Sequence, residues 1–94
     1  MPRVKFDWDP NKAAANERDH RVSFDEAKEV FFDPNAVDQF DPDHSIEEAR
    51  YNIIGFSSRR LLFVVYTEGT DGVIHIISAR KATKRERTEY ERAN

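Results

Sequence analysis

The feature that most constrains this chain is a pair of apolar runs, Leu61-Leu62-Phe63-Val64-Val65-Tyr66-Thr67 and Val73-Ile74-His75-Ile76-Ile77, joined through Gly69-Thr70-Asp71-Gly72. Both runs are rich in β-branched and aromatic residues and too apolar to leave either face in water, so they read as neighbouring strands interior to one sheet. Asp71-Gly72 supplies the positive φ values of a tight hairpin. The second run continues through Ser78-Ala79-Arg80-Lys81 to Thr83 and Glu86, a capping box in which the Thr hydroxyl accepts a free backbone N–H and the Glu reaches back. A helix starts there. Arg80, Lys81, Lys84, Arg85 and Arg87 collect where strand hands over to helix, a corner suited to a phosphate.

The remaining elements follow from local signals. Val4-Lys5-Phe6-Asp7-Trp8 alternates, which predicts a strand with Val4, Phe6 and Trp8 inward. Asp9 as cap and Pro10 at the first helical position open a helix that runs to about Asp19-His20. Ser23 and Glu26 form a second capping box, with Val22 and Ala27 as its hydrophobic staple and Phe24, Ala27, Val30 and Phe31 along one face. Asp33-Pro34 ends that helix. Ala36 to Phe40 reads as a short strand and Asp41-Pro42-Asp43 as a turn. From Glu48 to Phe56 the residues alternate, with Arg50, Asn52, Ile54 and Phe56 on one side, and Ser57-Ser58-Arg59 makes a hairpin into the first apolar run. The expected order is β-α-α-β-β-β-β-α. It is an α/β (α+β) domain with a central antiparallel sheet, two N-terminal helices packed together on it and a separate C-terminal helix. That last helix has little apolar surface beyond Ala82, Tyr90 and Ala93, so its docking should be weak.

At 94 residues the chain is expected to be a single domain over residues 1–94. The absence of cysteine removes disulfides, thiolate metal sites and cysteine nucleophiles together, and is compatible with a reducing cytoplasm. No apolar run follows a basic start and none approaches bilayer-spanning length, so a soluble, unexported, cytoplasmic protein is expected, without a membrane partner. A net charge of −3 alone would argue against nucleic acid, but the charge is unevenly distributed. Up to Arg50 there are 7 Lys and Arg against 13 Asp and Glu; beyond it there are 8 against 5. Any basic patch therefore belongs to the C-terminal half, while the acidic half suits a basic partner or simply solvated helix faces.

A collinear set of short motifs resembles the BrnT-like toxins, ribonucleases of type II toxin–antitoxin pairs with a RelE-like fold. Phe6-Asp7-Trp8-Asp9-Pro10 with Lys12, Asn16 and His20, then Val22-Ser23-Phe24 with Glu26-Ala27, is similar to the N-terminal signature of that family. Asp33-Pro34, His44-Ser45 with Glu48, Arg50-Tyr51, Ile54-Gly55, Arg60-Leu61-Leu62 and Tyr66-Thr67-Glu68 resemble its middle, and Ile76 to Thr83 with Glu86-Arg87 and Tyr90 its end. The succession spans roughly residues 4 to 90. Arg21 departs from a common Gly, Gly69 from a basic residue and His75 from a frequent Arg, which thins the positive charge.

The resemblance implies a toxin that cleaves messenger RNA and inhibits translation, using basic side chains and no metal or other cofactor. It also implies a cognate antitoxin with a ribbon-helix-helix part, in a hetero-oligomer that meets DNA only through that antitoxin. The residues offer parts for such chemistry. By simple alternation Arg80 shares a strand face with Ile74, Ile76 and Ser78, a cation leaving a core face at a strand end, and Arg50 is similarly placed. Two guanidinium groups converging on one phosphate would stabilise charge in phosphoryl transfer. Proton-transfer candidates are His20, His44 and His75, since histidine serves either role near neutral pH. Glu86 is a carboxylate alternative already explained by its cap. Lys81, Lys84, Arg85 and Arg59 are candidates for binding the RNA backbone. Asn16 and His20 share a helix face. Trp8 and Tyr66 could stack bases, although Trp8 alternates with core positions. Asp38, Asp41, Asp43 and His44 match no EF-hand spacing, and Asp41-Pro42-Asp43 is ordinary turn chemistry, so no metal site is expected. The rival reading is a non-catalytic interaction module, a corepressor acting only in complex with a DNA-binding antitoxin.

Overall fold

The structure, a computed structural model, describes residues 4–44 and 48–94. Ser45, part of the middle motif, lies outside the described residues. The elements are β1 (Phe6–Asp7), α1 (Pro10–His20), α2 (Phe24–Val30), β2 (Val37–Asp41), a 3-10 turn (Pro42–His44), β3 (Arg50–Phe56), β4 (Leu61–Glu68), β5 (Ile74–Lys81) and α3 (Lys84–Arg92). They form one five-stranded sheet in the order β1-β5-β4-β3-β2. From β2 to β5 the pairing is antiparallel, and the two doubly apolar strands are interior, as their composition requires. β1 is the exception, pairing parallel to β5 through two residues only. Val4 falls outside it and is 46% exposed, contrary to the inward position that alternation predicts.

α1 and α2 cover one face of the sheet. Val22, Phe24, Ala27 and Val30 pack there on Ile53, Leu62, Val64, Tyr66, Ile76 and Ala79. Gly55 is the point of closest approach: a Cβ there would meet Val30 Cγ1 at 2.9 Å, so a larger residue would push α2 off β3. Asn16 is buried and fastens α1 to β5, donating from Nδ2 to the carbonyls of Val22 (2.9 Å) and Ala79 (2.8 Å) and accepting from the Ala79 N–H at 3.1 Å. It therefore does not share a binding face with His20. Trp8 is half-buried and meets Phe24 edge to face at 5.8 Å, and Tyr66 is buried among core residues, out of reach of a stacking base.

Three local expectations are corrected. At the start of α2 the Ser23 hydroxyl accepts from the Glu26 N–H (3.0 Å), but the Glu26 carboxylate turns away from the cap to Arg60 and Ser57, so only half of the capping box forms. In the β4–β5 turn Gly72 alone has positive φ (81°); Asp71 instead uses its carboxylate to accept the Val73 N–H at 3.1 Å. The third is a bulge. Val65 pairs with Ser78 and Tyr66 with Ile76, leaving Ile77 as an extra residue in β5. Every side chain after it is switched to the other face relative to simple alternation. Arg80 therefore sides with Ser78, Phe63 and Val65, and faces away from Ile74 and Ile76.

Candidate active site on the open face of the sheet

The face opposite α1 and α2 carries Arg50, Asn52, Ile54 and Phe56 of β3, Phe63, Val65 and Thr67 of β4, and His75, Ser78 and Arg80 of β5, as the register dictates. α3 lies over one end of it, against β3. Its capping box forms in full, with Thr83 Oγ1 accepting from the Glu86 N–H and the Glu86 carboxylate accepting from the Thr83 N–H. Tyr90 holds the other end of α3, packing edge to face on Phe56 at 5.4 Å and donating its hydroxyl to Asp33 at 2.8 Å. Burial raises the Tyr90 phenol above its ordinary value and the Asp33 bond adds to this.

Beside α3 this face holds a pocket of about 250 Å³ lined, among the described residues, by Asp41, His44, Arg50, Phe63, Val65, Ile77 and Ser78. Two candidates from the sequence, Arg50 and His44, thus come together. Arg50 stands directly across from Asp41 in the β2–β3 register. Asp41 accepts the Nδ1 of His44 at 2.8 Å and the Asp43 N–H at 3.1 Å. The His44 bond is the main cause that lowers the Asp41 carboxyl below its ordinary value. Engaging Nδ1 fixes the ring and leaves Nε2 as its second nitrogen, with the tautomer set by the carboxylate. Among the described residues no three His, Cys, Asp or Glu side chains cluster as a metal cage. Asn52 neighbours Val65 on the same face, and its buried Oδ1 has no hydrogen-bond partner among the described residues, an acceptor open to a donor.

Arg80 borders this pocket without lining it. Its guanidinium sits 4.3 Å from the centroid of Phe63, a residue that does line it. The same group makes a bidentate pair with Glu86, Nη1 to Oε1 at 2.8 Å and Nη2 to Oε2 at 2.9 Å. Burial pushes the Glu86 carboxyl up, but the bonds from Arg80 and the Thr83 N–H outweigh it and leave the group below its ordinary value. Glu86 is thus an ionised anchor for Arg80.

The other candidates lie apart. His20 ends α1 and is exposed on the helix-covered side of the molecule. His75 lies at the far end of the open face, bonded through Nδ1 to Asp7. Lys81, Lys84, Arg85 and Arg59 are all exposed at the end of the sheet where β3 turns into β4 and β5 leads into α3. They form a cationic rim running toward Arg80. Sequence reasoning did not assign Asp41 as the partner of His44, although an Asp three residues before a His across Pro42 is a readable local signal. Ser78 and Phe63 carried no signal of their own, since only the bulge and the register place them at the pocket.

No curated protein sequence matches the chain. Among solved structures it is similar to the crystal structure of the Brucella abortus ribonuclease toxin BrnT, with a TM-score of 0.65, 20% identity, and coverage of 87% of this chain and all of that one. At that identity the likeness concerns the fold. The family of BrnT ribonuclease toxins of type II toxin–antitoxin systems matches residues 8–86, which takes in every element from α1 to the capping box of α3. The chain belongs to the BrnT family of ribonuclease toxins of type II toxin–antitoxin systems.

Proposed function

We propose that the chain cleaves messenger RNA without a metal, at the open-face pocket, by attack of a ribose 2′-hydroxyl on the neighbouring phosphate. The observation that supports this most directly is the Asp41–His44 pair opposite Arg50 in one pocket. His44 Nε2 takes the 2′-hydroxyl proton as the 2′-O–P bond forms; the P–O5′ bond breaks, and the leaving 5′-oxygen takes a proton from water. The products are a 2′,3′-cyclic phosphate and a 5′-hydroxyl. Arg50 stabilises the charge gathering on the phosphate, and Asp41 holds His44 and balances the imidazolium that forms. Arg80 serves the adjacent phosphate through the N–H groups that Glu86 does not engage. Lys81, Lys84, Arg85 and Arg59 bind backbone phosphates leading to the pocket.

A type II toxin has an antitoxin as its partner. We infer further that this antitoxin is a ribbon-helix-helix protein, bound in a hetero-oligomer through which alone the toxin meets DNA. No helix among the described residues is long and apolar enough to cross a membrane. A cytoplasmic location, where messenger RNA and antitoxin meet, fits that partnership.

One observation favours the corepressor reading: the Arg80 guanidinium is already held bidentately by Glu86. The two readings separate in one assay of purified chain with RNA in EDTA. The ribonuclease cleaves, His44→Ala lowers the rate by about 10² to 10⁴, and Arg50→Ala lowers it by about 10² to 10³. Folded wild-type protein that leaves RNA intact both in EDTA and with divalent metal present would support the corepressor instead.

A further inference from the structure

At the end of the sheet opposite the cationic rim, two features wrap around the same strand ends. On the helix side a continuous row of aromatic rings crosses the sheet from edge to edge. Phe32 and Phe31 of the α2 C-terminal turn contact Phe6 at 6.2 and 5.2 Å. Phe31 meets Tyr66 at 4.9 Å, Tyr66 stacks on Tyr51 at 5.5 Å, and Tyr51 meets Phe40 at 5.6 Å. The two ends of the row are open to solvent, Phe32 at 65% and Phe40 at 54% exposure. The middle is held rigidly, because the Tyr66 hydroxyl donates to the Asp38 carboxylate at 2.6 to 2.7 Å.

On the opposite side of the same strand ends lies a second concavity, of about 410 Å³, lined by Asp7, Glu48, Thr67, Glu68, Gly69, Asp71, Val73 and His75. It holds four carboxylates, and no lysine or arginine is among its described lining residues. Phe6 with Asp7, and Tyr66 with Thr67, are chain neighbours on opposite faces, and Glu68 ends β4 beside them, so ledge and concavity form one surface folded over the sheet end.

We infer that this surface is the docking site for the antitoxin, through a cationic amphipathic segment whose apolar side chains lie on the Phe32-to-Phe40 ledge and whose lysines or arginines enter the acidic concavity. The inference rests on the toxin reading above. Charge decides the occupant. RNA is a polyanion and is repelled by four carboxylates, and a second copy of this chain in two-fold contact would set the same acidic surface against itself. A cationic protein segment gains on both counts, since exposed rigid aromatics are typical anchors of binding energy and opposed charges steer the encounter. The antitoxin would then hold the end of the molecule away from the RNA-binding rim.

The test uses the purified toxin, the product of the partner gene, and two double variants, Phe32→Ala with Phe40→Ala and Glu48→Lys with Glu68→Lys. None of these four residues belongs to the proposed catalytic set. Both variants should melt like wild type and cleave RNA at the wild-type rate, while antitoxin affinity falls about 30-fold or more for the aromatic pair. The charge pair should lose affinity most at low salt. In cells both variants should arrest growth that co-expressed antitoxin no longer relieves. Unchanged affinity in both folded variants would overturn the proposal. So would a loss of cleavage together with binding, which would put the ledge in catalysis, or a wild-type dimer that the aromatic variant makes monomeric, which would assign the ledge to a second copy. Failure of the wild type to cleave RNA, with the binding losses intact, would instead count against the ribonuclease reading alone.

Discussion

Arg21 is the residue at which sequence and backbone disagree most plainly. It closes α1 with φ 59° and ψ 31°, its N–H bonded to the Glu17 carbonyl, in the left-handed region where a side chain crowds its own backbone. Helices commonly end on glycine for this reason, with a penalty for other residues of about 1–2 kcal/mol. Arg21→Gly should raise stability by about 1 kcal/mol in urea unfolding, because the Arg60 guanidinium bonds the Arg21 carbonyl (2.8 Å), which glycine retains. Glu26 shows the opposite economy. Buried, it accepts Arg60 Nε and Nη2 at 2.9 and 2.8 Å and the Ser57 hydroxyl at 2.8 Å. The Arg60 bonds, above all, hold its carboxyl below the ordinary value, against the opposing effect of burial. Its folded pKa is depressed relative to the unfolded chain, so the stability it contributes is fully present above the ordinary carboxylate range and is lost as pH falls through the folded value. Glu26→Gln should lower stability at pH 7 and flatten the acid limb of the unfolding curve. An unchanged acid limb would show that other carboxylates carry it.

At the scale of elements, what the sequence reveals is what local chemistry determines. Asp9-Pro10 opens α1, Thr83 and Glu86 cap α3, and the two doubly apolar runs occupy the sheet interior, each from a signal contained within a few residues. What it conceals depends on pairing between distant residues. The bulge at Ile77 arises from the match of β4 to β5, and it alone decides that Arg80 faces the pocket side. The meeting of His44 with Arg50 depends in the same way on the β2–β3 register. Glu26 looked like half of a cap because its true partner, Arg60, is remote in sequence. The last helix tests the balance of such contacts. α3 contains no fully buried residue and is fastened by Tyr90 to Asp33 and Phe56 and by Glu86 to Arg80. Hydrogen exchange from Thr88 to Arg92 should therefore be much faster than from Phe63 to Tyr66; equal protection would show that α3 belongs to the cooperative core.

Across the whole molecule, the lysines and arginines proposed to bind RNA and the acidic concavity proposed to bind the antitoxin stand at opposite ends of the strands. Lys81, Lys84, Arg85 and Arg59 stand at one end, the acidic concavity with its four carboxylates at the other, and the His44–Arg50 pocket between them. Single-stranded RNA should enter from the cationic end, so Lys84→Ala should reduce the logarithmic salt slope of RNA binding by about 0.7 without altering where the RNA is cut. A larger change in cut-site preference than in slope would place Lys84 among base contacts. Metal-free transesterification at the open-face pocket, with His44 as the base, can be read from the ends of the cut RNA. The most direct measurement is end-group analysis of RNA cut in EDTA by wild type and by His44→Ala. The wild type should leave 2′,3′-cyclic phosphate and 5′-hydroxyl ends, formed about 10² to 10⁴ times more slowly by the variant. Ends bearing a 5′-phosphate, cleavage that disappears with EDTA, or equal rates for the two proteins would contradict it.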